Sequence, residues 1–253
     1  MQRVFLTGAS SGIGAALAHR YAEQGASLGL AARRGEMLDA LRQSLPHPER
    51  HRIYALDVND HQALAAAARD FLAYHGGVDV VVANAGISHG TLTEHAEDLP
   101  VFAQIVSTNL LATVATFSPF IAAMRRQGTG RLVGIASVAG IRGLPGAGAY
   151  SASKAATISY CESLRVELRG SGIKVVTVAP GYIDTPMTRH NAYPMPFLMP
   201  APKFARAAVA AIARGTSYTV IPWQMGVVAK LLRLLPNWLY DAVFARAPHK
   251  SRK

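Results

Sequence analysis

Seven short apolar runs, alternating with longer amphipathic ones, constrain this chain more than any other feature. The short runs cover residues 3–6, 27–31, 52–56, 78–83, 131–136, 174–178 and 218–221. They are rich in Val, Ile and Leu and lack strict polar–apolar alternation, the pattern of strands buried on both faces of a parallel sheet. Between them, residues 12–24, 36–44, 61–74, 102–126, 149–169 and 202–214 carry apolar side chains at spacings of three and four, which predicts helices. Strand–helix alternation of this kind calls for an α/β fold, a doubly wound parallel sheet flanked by helices on both faces. The 253 residues suit one large domain with a well-buried core.

The turn after the first strand reads Thr7-Gly8-Ala9-Ser10-Ser11-Gly12-Ile13-Gly14, and a helix begins at once. Gly8 permits a tight turn, Gly12 lets the backbone approach a pyrophosphate, and Gly14 allows close packing of helix on strand. The helix N-terminus adds free N–H groups and the positive end of its dipole, and Ser10 and Ser11 add hydroxyls. Three glycines alone are a weak signal. Between the first strand and first helix of an alternating chain they are a strong one. The second strand ends in Ala32-Arg33-Arg34. An acid at that tip would bind a ribose 2′-hydroxyl and repel a 2′-phosphate. Alanine followed by two guanidinium groups favours the phosphate, hence NADP(H) over NAD(H). Arg33 is the expected direct ligand, and Arg34 is either a second one or an ordinary solvated charge.

Tyr150 and Lys154 lie four residues apart at the start of a predicted helix, so phenol and ammonium share a face. A lysine cation, helped by a cationic nicotinamide ring, stabilises a phenolate and makes Tyr150 a usable acid or base. Ser137 closes the fifth strand, and a serine at such a tip faces the ligand crevice of an open α/β sheet.

With these residues in view, the chain resembles the short-chain dehydrogenase/reductase family in its short single-domain form. The resemblance spans residues 1–222 and rests on residues 7–14, Asp57-Val58, Asn84-Ala85-Gly86, Asn109, Ser137, Tyr150 with Lys154, and Pro180-Gly181. It implies a Rossmann-like seven-stranded parallel sheet in the order 3-2-1-4-5-6-7 and NADP(H)-dependent interconversion of a carbonyl and an alcohol. It implies that Asp57 holds the adenine amino group, with the Val58 backbone nearby. Asn84, Ala85 and Gly86 would support the fourth strand beside the adenosine. Asn109 would bend its helix and hold a relay water, Ser137 would orient the carbonyl, and Tyr150 would be the acid/base. Lys154 would also bind the nicotinamide ribose. Pro180, Gly181, Ile183 and Thr185 would line the carboxamide and pyrophosphate. The usual doubled asparagine before Ala-Gly is Ala83-Asn84 here. A cofactor-binding regulator without catalysis is the alternative, against which the intact set Asn109, Ser137, Tyr150 and Lys154 stands.

Residues 138–146 and 190–200 are the expected substrate walls, with Leu144, Tyr193, Met195, Phe197, Leu198 and Met199, and they favour a hydrophobic substrate. Arg142 either meets an anionic group or is a solvated loop arginine. The proline-rich stretch 190–202 is either a flap or a static packed loop. From residue 201 onward nine Lys or Arg face one acid, Asp241. This basic end includes an amphipathic extension, residues 223–253, which either packs on the body or a partner subunit or lies on an anionic membrane. No recognition module or aromatic stacking platform accompanies the charge, so a nucleic-acid partner is not expected. The predicted helices 102–126 and 149–169 are the pairing surfaces of related proteins, which implies a homodimer or homotetramer. The single Cys161 excludes an intrachain disulfide and a multi-cysteine metal site, and none of the chemistry expected here needs a metal. No signal segment opens the chain and no apolar stretch is long enough to span a bilayer, so a cytoplasmic location is expected, with the inner face of a membrane as the alternative.

Overall fold

Neighbouring residues of a strand point to opposite faces of a sheet, and here both faces are apolar. The computed structural model describes residues 1–189, 191 and 194–245. Its strands are β1 (Arg3–Thr7), β2 (Ser27–Ala32), β3 (Arg52–Ala55), β4 (Val80–Ala83), β5 (Gly130–Ile135), β6 (Ile173–Pro180), β7 (Ile183–Asp184), β8 (Met199–Pro200) and β9 (Tyr218–Ile221). Its helices are α1 (Gly12–Glu23), α2 (Gly35–Ser44), α3 (His61–His75), α4 (Leu99–Val106), α5 (Ala112–Gln127), α6 (Gly148–Glu167), α7 (Ala201–Arg214), α8 (Trp223–Leu234) and α9 (Asn237–Phe244). Seven strands form one parallel sheet in the order β3-β2-β1-β4-β5-β6-β9. This is the expected Rossmann-like order. β7 and β8 form a separate small parallel pair.

Val4 and Leu6 of β1, Val80 and Val82 of β4, and Val176 and Val178 of β6 pack with Leu17, Leu38 and Phe204 of α1, α2 and α7. Phe5, Val81 and Val175 turn the other way, onto Phe71 of α3, Phe117 and Phe120 of α5, and Leu164 of α6. Burial on both sides explains why the strand sequences do not alternate. The Cys161 thiol belongs to the second layer. It fills the space over Gly134, where a Cβ would lie 2.7 Å from its sulfur, and burial pushes it up to about 11. It is a packing residue.

Two sequence expectations are corrected. The single helix expected over residues 102–126 starts earlier, at Leu99, and is interrupted by a π-helical segment, Ser107–Leu111, between α4 and α5. The continuous helical run Ala96–Gln127 also has the length and hydropathy to cross a membrane, which the sequence reading had not found. It is a core helix: Phe117, Phe120 and Met124 lie in the second apolar layer, and Asn109 is fully buried. Of the expected substrate-wall residues, Tyr193 lies outside the described residues, as do Ala192, His190 and the final residues 246–253.

Candidate active site

Parallel strands all deliver their C-terminal tips to one edge, and the order reverses between β1 and β4, where a crevice opens. Apart from Gly14, the residues expected to hold the cofactor, together with Ser137, Tyr150 and Lys154, line one cleft at these tips, whereas the expected substrate-wall residues Leu144, Met195, Phe197, Leu198 and Met199 do not line it. One cleft is lined at one end by Arg33, Arg34 and Asp57, along its length by Gly8, Ser10, Ser11, Gly12, Ile13, Val58, Asn84, Ala85, Gly86, Pro180, Gly181, Ile183 and Thr185, and at the other end by Ser137, Tyr150 and Lys154. Asn109 sits just behind that end.

The glycine turn is built by close approaches. Gly8 and Gly12 adopt left-handed backbone at φ 67° and 56°, which costs other residues strain. At Gly14 a Cβ would lie 2.1 Å from the Gly8 carbonyl oxygen, and at Gly12 it would meet the Thr185 side chain at 3.2 Å. Asn84 staples the turn to β4: its Nδ2 donates to the Thr7 and Gly8 carbonyls, each at 3.1 Å. The Thr7 hydroxyl completes the staple by accepting the Asn84 and Ala85 amides. On the far side, the turn after β7 is fixed by Thr188, whose Oγ1 donates to the Ile183 carbonyl at 2.6 Å. The result is a narrow, backbone-lined cradle at the N-terminus of α1, of the shape and polarity that a diphosphate requires. The donor set and the missing side chains fit a dinucleotide.

At the end of the cleft lined by Arg33, Arg34 is exposed but has partners. Its guanidinium donates to the hydroxyls of Ser10 and Ser11 at 3.1 and 3.2 Å. Arg33 is exposed at the rim of the same cleft. Asp57 accepts from both the backbone and side-chain nitrogens of Asn59 at 2.9 Å, and the Asn59 side chain in turn donates to Thr108.

At the opposite end, Ser137 is buried and its Oγ accepts the Ala139 amide at 3.1 Å. Tyr150 and Lys154 share one face of α6, with the ammonium 5.8 Å from the phenol ring centroid. Lys154 is buried and donates to the Ile135 carbonyl at 2.8 Å. Burial brings this ammonium down to about 8. Burial also pushes the Tyr150 phenol up, with the Ser137 hydrogen bond acting the other way. The sequence reading expects the lysine to lower the phenol; in the protein by itself the shift is upward, from burial, and the opposing contribution comes from Ser137. Asn109 lies in the π-helical segment. Its Oδ1 accepts the Ile87 amide at 2.9 Å, and its Nδ2 donates to the Ile87 carbonyl and the Ser153 hydroxyl. Gly86 keeps a gap open here, since a Cβ on it would lie 3.2 Å from Asn109 Oδ1 and 3.6 Å from Lys154 Nζ.

Sequence reasoning gave Thr7 no role of its own and missed Asn59, Ser153 and Thr188, whose hydroxyl or amide groups hold the named residues in place. It also misplaced Arg142. That side chain neither meets solvent alone nor waits for an anion. It donates to the carbonyls of Leu232, Arg233 and Leu235.

With this geometry in hand, the comparisons with known proteins are specific. A family model described as short chain dehydrogenase matches residues 2–194. The chain is 39% identical over 244 residues to a Myxococcus xanthus protein named as an uncharacterized oxidoreductase, covering 95% of each chain. It is similar in structure to a short-chain dehydrogenase from Streptomyces avermitilis, with a TM-score of 0.81 and 27% identity over 96% of this chain and 94% of that one. It is also similar to an actinorhodin polyketide ketoreductase variant solved with NADPH, with a TM-score of 0.79 and 27% identity over 87% and 95% of the two chains. The chain belongs to the short-chain dehydrogenase/reductase family and is an oxidoreductase.

Proposed function

We propose that the protein uses NADP(H) to interconvert a carbonyl and an alcohol on a hydrophobic small molecule. The observation that carries this reading is the convergence of Ser137, Tyr150 and Lys154 at one end of a cleft whose other end holds the glycine cradle and two arginines. When bound, the dinucleotide supplies or accepts the hydride. The chain's own residues handle the oxygen. Ser137 holds it by hydrogen bond, and Tyr150 donates a proton to it during reduction or takes one during oxidation. Lys154 favours the phenolate that reduction leaves behind. Asn109, anchored on Ile87 and Ser153, fixes the far wall of the gap behind Lys154, through which the phenol's proton is replaced. Each of these groups acts where charge develops on oxygen.

The preference for NADP(H) is supported by Ala32 in place of an acid, by Arg33 at the rim and by Arg34 locked onto the cradle serines. The NADPH bound by the similar ketoreductase is consistent with it. The apolar residues Phe197 and Leu198, about half exposed in the loop before β8, support a hydrophobic substrate. Exposed Leu111 and Val166, just before α5 and near the end of α6, support pairing through those helices into a homodimer or homotetramer. The single buried thiol is consistent with a cytoplasmic location.

Consumption of NADPH against a panel of apolar ketones, acyl thioesters and quinones tests the reaction class. A panel on which no member oxidises NADPH removes it. The cofactor assignment has its own test. Arg33→Asp is expected to shift the ratio of kcat/KM for NADPH over NADH by at least about tenfold toward NADH, the loss of one charge-assisted contact. An unchanged ratio removes Arg33 from that role.

A further inference from the structure

We propose that α8 and α9 form a docking surface for a bilayer carrying anionic lipid. Trp223, Val227, Leu231 and Leu234 follow one another at spacings of four, four and three, so they share one face of α8. That face is bare: the four side chains are 69%, 48%, 59% and 80% exposed. The opposite face is the packed one. Met225, Gly226 and Ala229 are buried, and Gly226 brings the helix down onto Val220 of β9, where a Cβ would lie 3.1 Å from that side chain. α8 is therefore fully seated on the body and still leaves an apolar ridge outside it. Trp238, at the start of α9, is 71% exposed as well.

Charge selects the occupant. Lys230 and Arg233 are exposed on α8, which carries no acid. Beyond residue 200 the chain holds nine basic residues against Asp241 alone. A second copy pairing through the same face by a two-fold axis would bring two sets of Lys230 and Arg233 into one interface, with no acid on either α8 to pair them. A nucleic acid would match the charge and waste the ridge of Leu, Val and Trp. An anionic bilayer matches both, with tryptophan at headgroup depth and the lysine and arginine against phosphates.

The surface is also tied to the active site. Arg142 lies five residues beyond Ser137, in the loop expected to wall the substrate. Its Nη1 caps the end of α8 by donating to the Leu232 and Leu235 carbonyls at 2.7 and 2.8 Å, and its Nη2 donates to Asn237 Oδ1. Its guanidinium carbon lies 3.9 Å from the Tyr240 ring centroid, and the Tyr240 hydroxyl donates to the Gly143 carbonyl. A chain seated on lipid through α8 thus holds its substrate loop at a fixed offset from the apolar phase.

The two tryptophans of the chain are Trp223 and Trp238, so intrinsic fluorescence reads this surface directly and needs no catalysis. Full-length protein is mixed with vesicles of phosphatidylcholine alone or of phosphatidylcholine with phosphatidylglycerol. The expected result is a blue shift in emission and co-sedimentation with the anionic vesicles, both reversed by salt. Charge reversal, K230E with R233E, is expected to weaken partition at least about tenfold. L231S with L234S is expected to abolish it. All four side chains are exposed, so an unchanged circular dichroism spectrum verifies folding. Absence of a shift and of pelleting overturns the proposal, as does partition that charge reversal leaves intact. If L231S with L234S instead lowers the oligomeric state while vesicles leave wild-type emission unchanged, a second copy covers the face and the bilayer assignment is wrong.

Discussion

Replacing Tyr150 by phenylalanine is expected to lower turnover by at least about a thousandfold while leaving NADPH binding within a factor of two or so, the signature of a lost proton donor rather than a lost cradle. The ring stays, so packing in α6 and the contact with Lys154 are preserved, and the missing atom is the one proposed to face the substrate oxygen. Burial holds the phenol above its ordinary range, so the group carries its proton through neutral pH and is ready to donate it. Lys154 adds a pH dependence. Its ammonium is brought down to about 8 by burial, so the positive charge that favours the departing proton is present below that pH and lost above it. The rate of carbonyl reduction in the wild type is expected to hold steady at lower pH and to fall as pH rises past about 8. Stopped-flow NADPH oxidation and fluorescence titration of NADPH, run on both proteins, separate the chemical step from binding. Near-normal turnover in the phenylalanine variant would falsify the assignment of Tyr150.

The sequence shows the sheet plainly because its signal is local. Each central strand is a short run with both faces apolar, and the tips of β1 to β6 carry their chemistry within two or three residues. The glycine turn, the Ala32-Arg33-Arg34 tip and the Tyr150/Lys154 pair are all spacings along the chain, and all three line the one cleft. What the sequence hides is set by contacts distant in the chain. The π-helical segment around Asn109 adds one residue to a helical turn without disturbing the apolar spacing on either side, so a periodicity of three and four passes through it unmarked. Arg142 looks like any loop arginine until the chain returns ninety residues later with the open carbonyls of α8. Arg34 looks solvated because nothing near it in sequence is a partner; Ser10 and Ser11 come from the preceding strand–helix unit. Thr7, Ser153 and Thr188 are hydroxyls in unremarkable positions, and only the folded chain shows which carbonyl or amide each one answers.

Gly14→Ala provides the second large effect, and here two physical terms oppose each other. In an exposed helix, alanine is favoured over glycine by about 1 kcal/mol, so propensity alone predicts a more stable protein. The surroundings of Gly14 reverse the sign. An added Cβ would stand 2.1 Å from the Gly8 carbonyl oxygen and 2.8 Å from Asn84 Nδ2. Neither neighbour is free to retreat: the carbonyl belongs to a left-handed turn residue, and the amide is committed to Thr7 and Gly8. Either α1 lifts from β1 or the turn opens. Overpacking of this kind costs about 1–3 kcal/mol, which outweighs the propensity gain and lowers Tm by a few degrees in a chain of this size. The cofactor loses more than the fold does, because the displaced atoms are the ones that line the diphosphate cradle. The affinity for NADPH is expected to fall by about a hundredfold, equivalent to roughly 2.7 kcal/mol, with Tyr150, Ser137 and Lys154 untouched. Calorimetric titration of NADPH alongside a thermal melt reads both quantities. A variant that melts at or above the wild-type temperature and still binds NADPH normally would show that the turn can relax around a methyl group, and the close-approach account of this cradle would then be wrong.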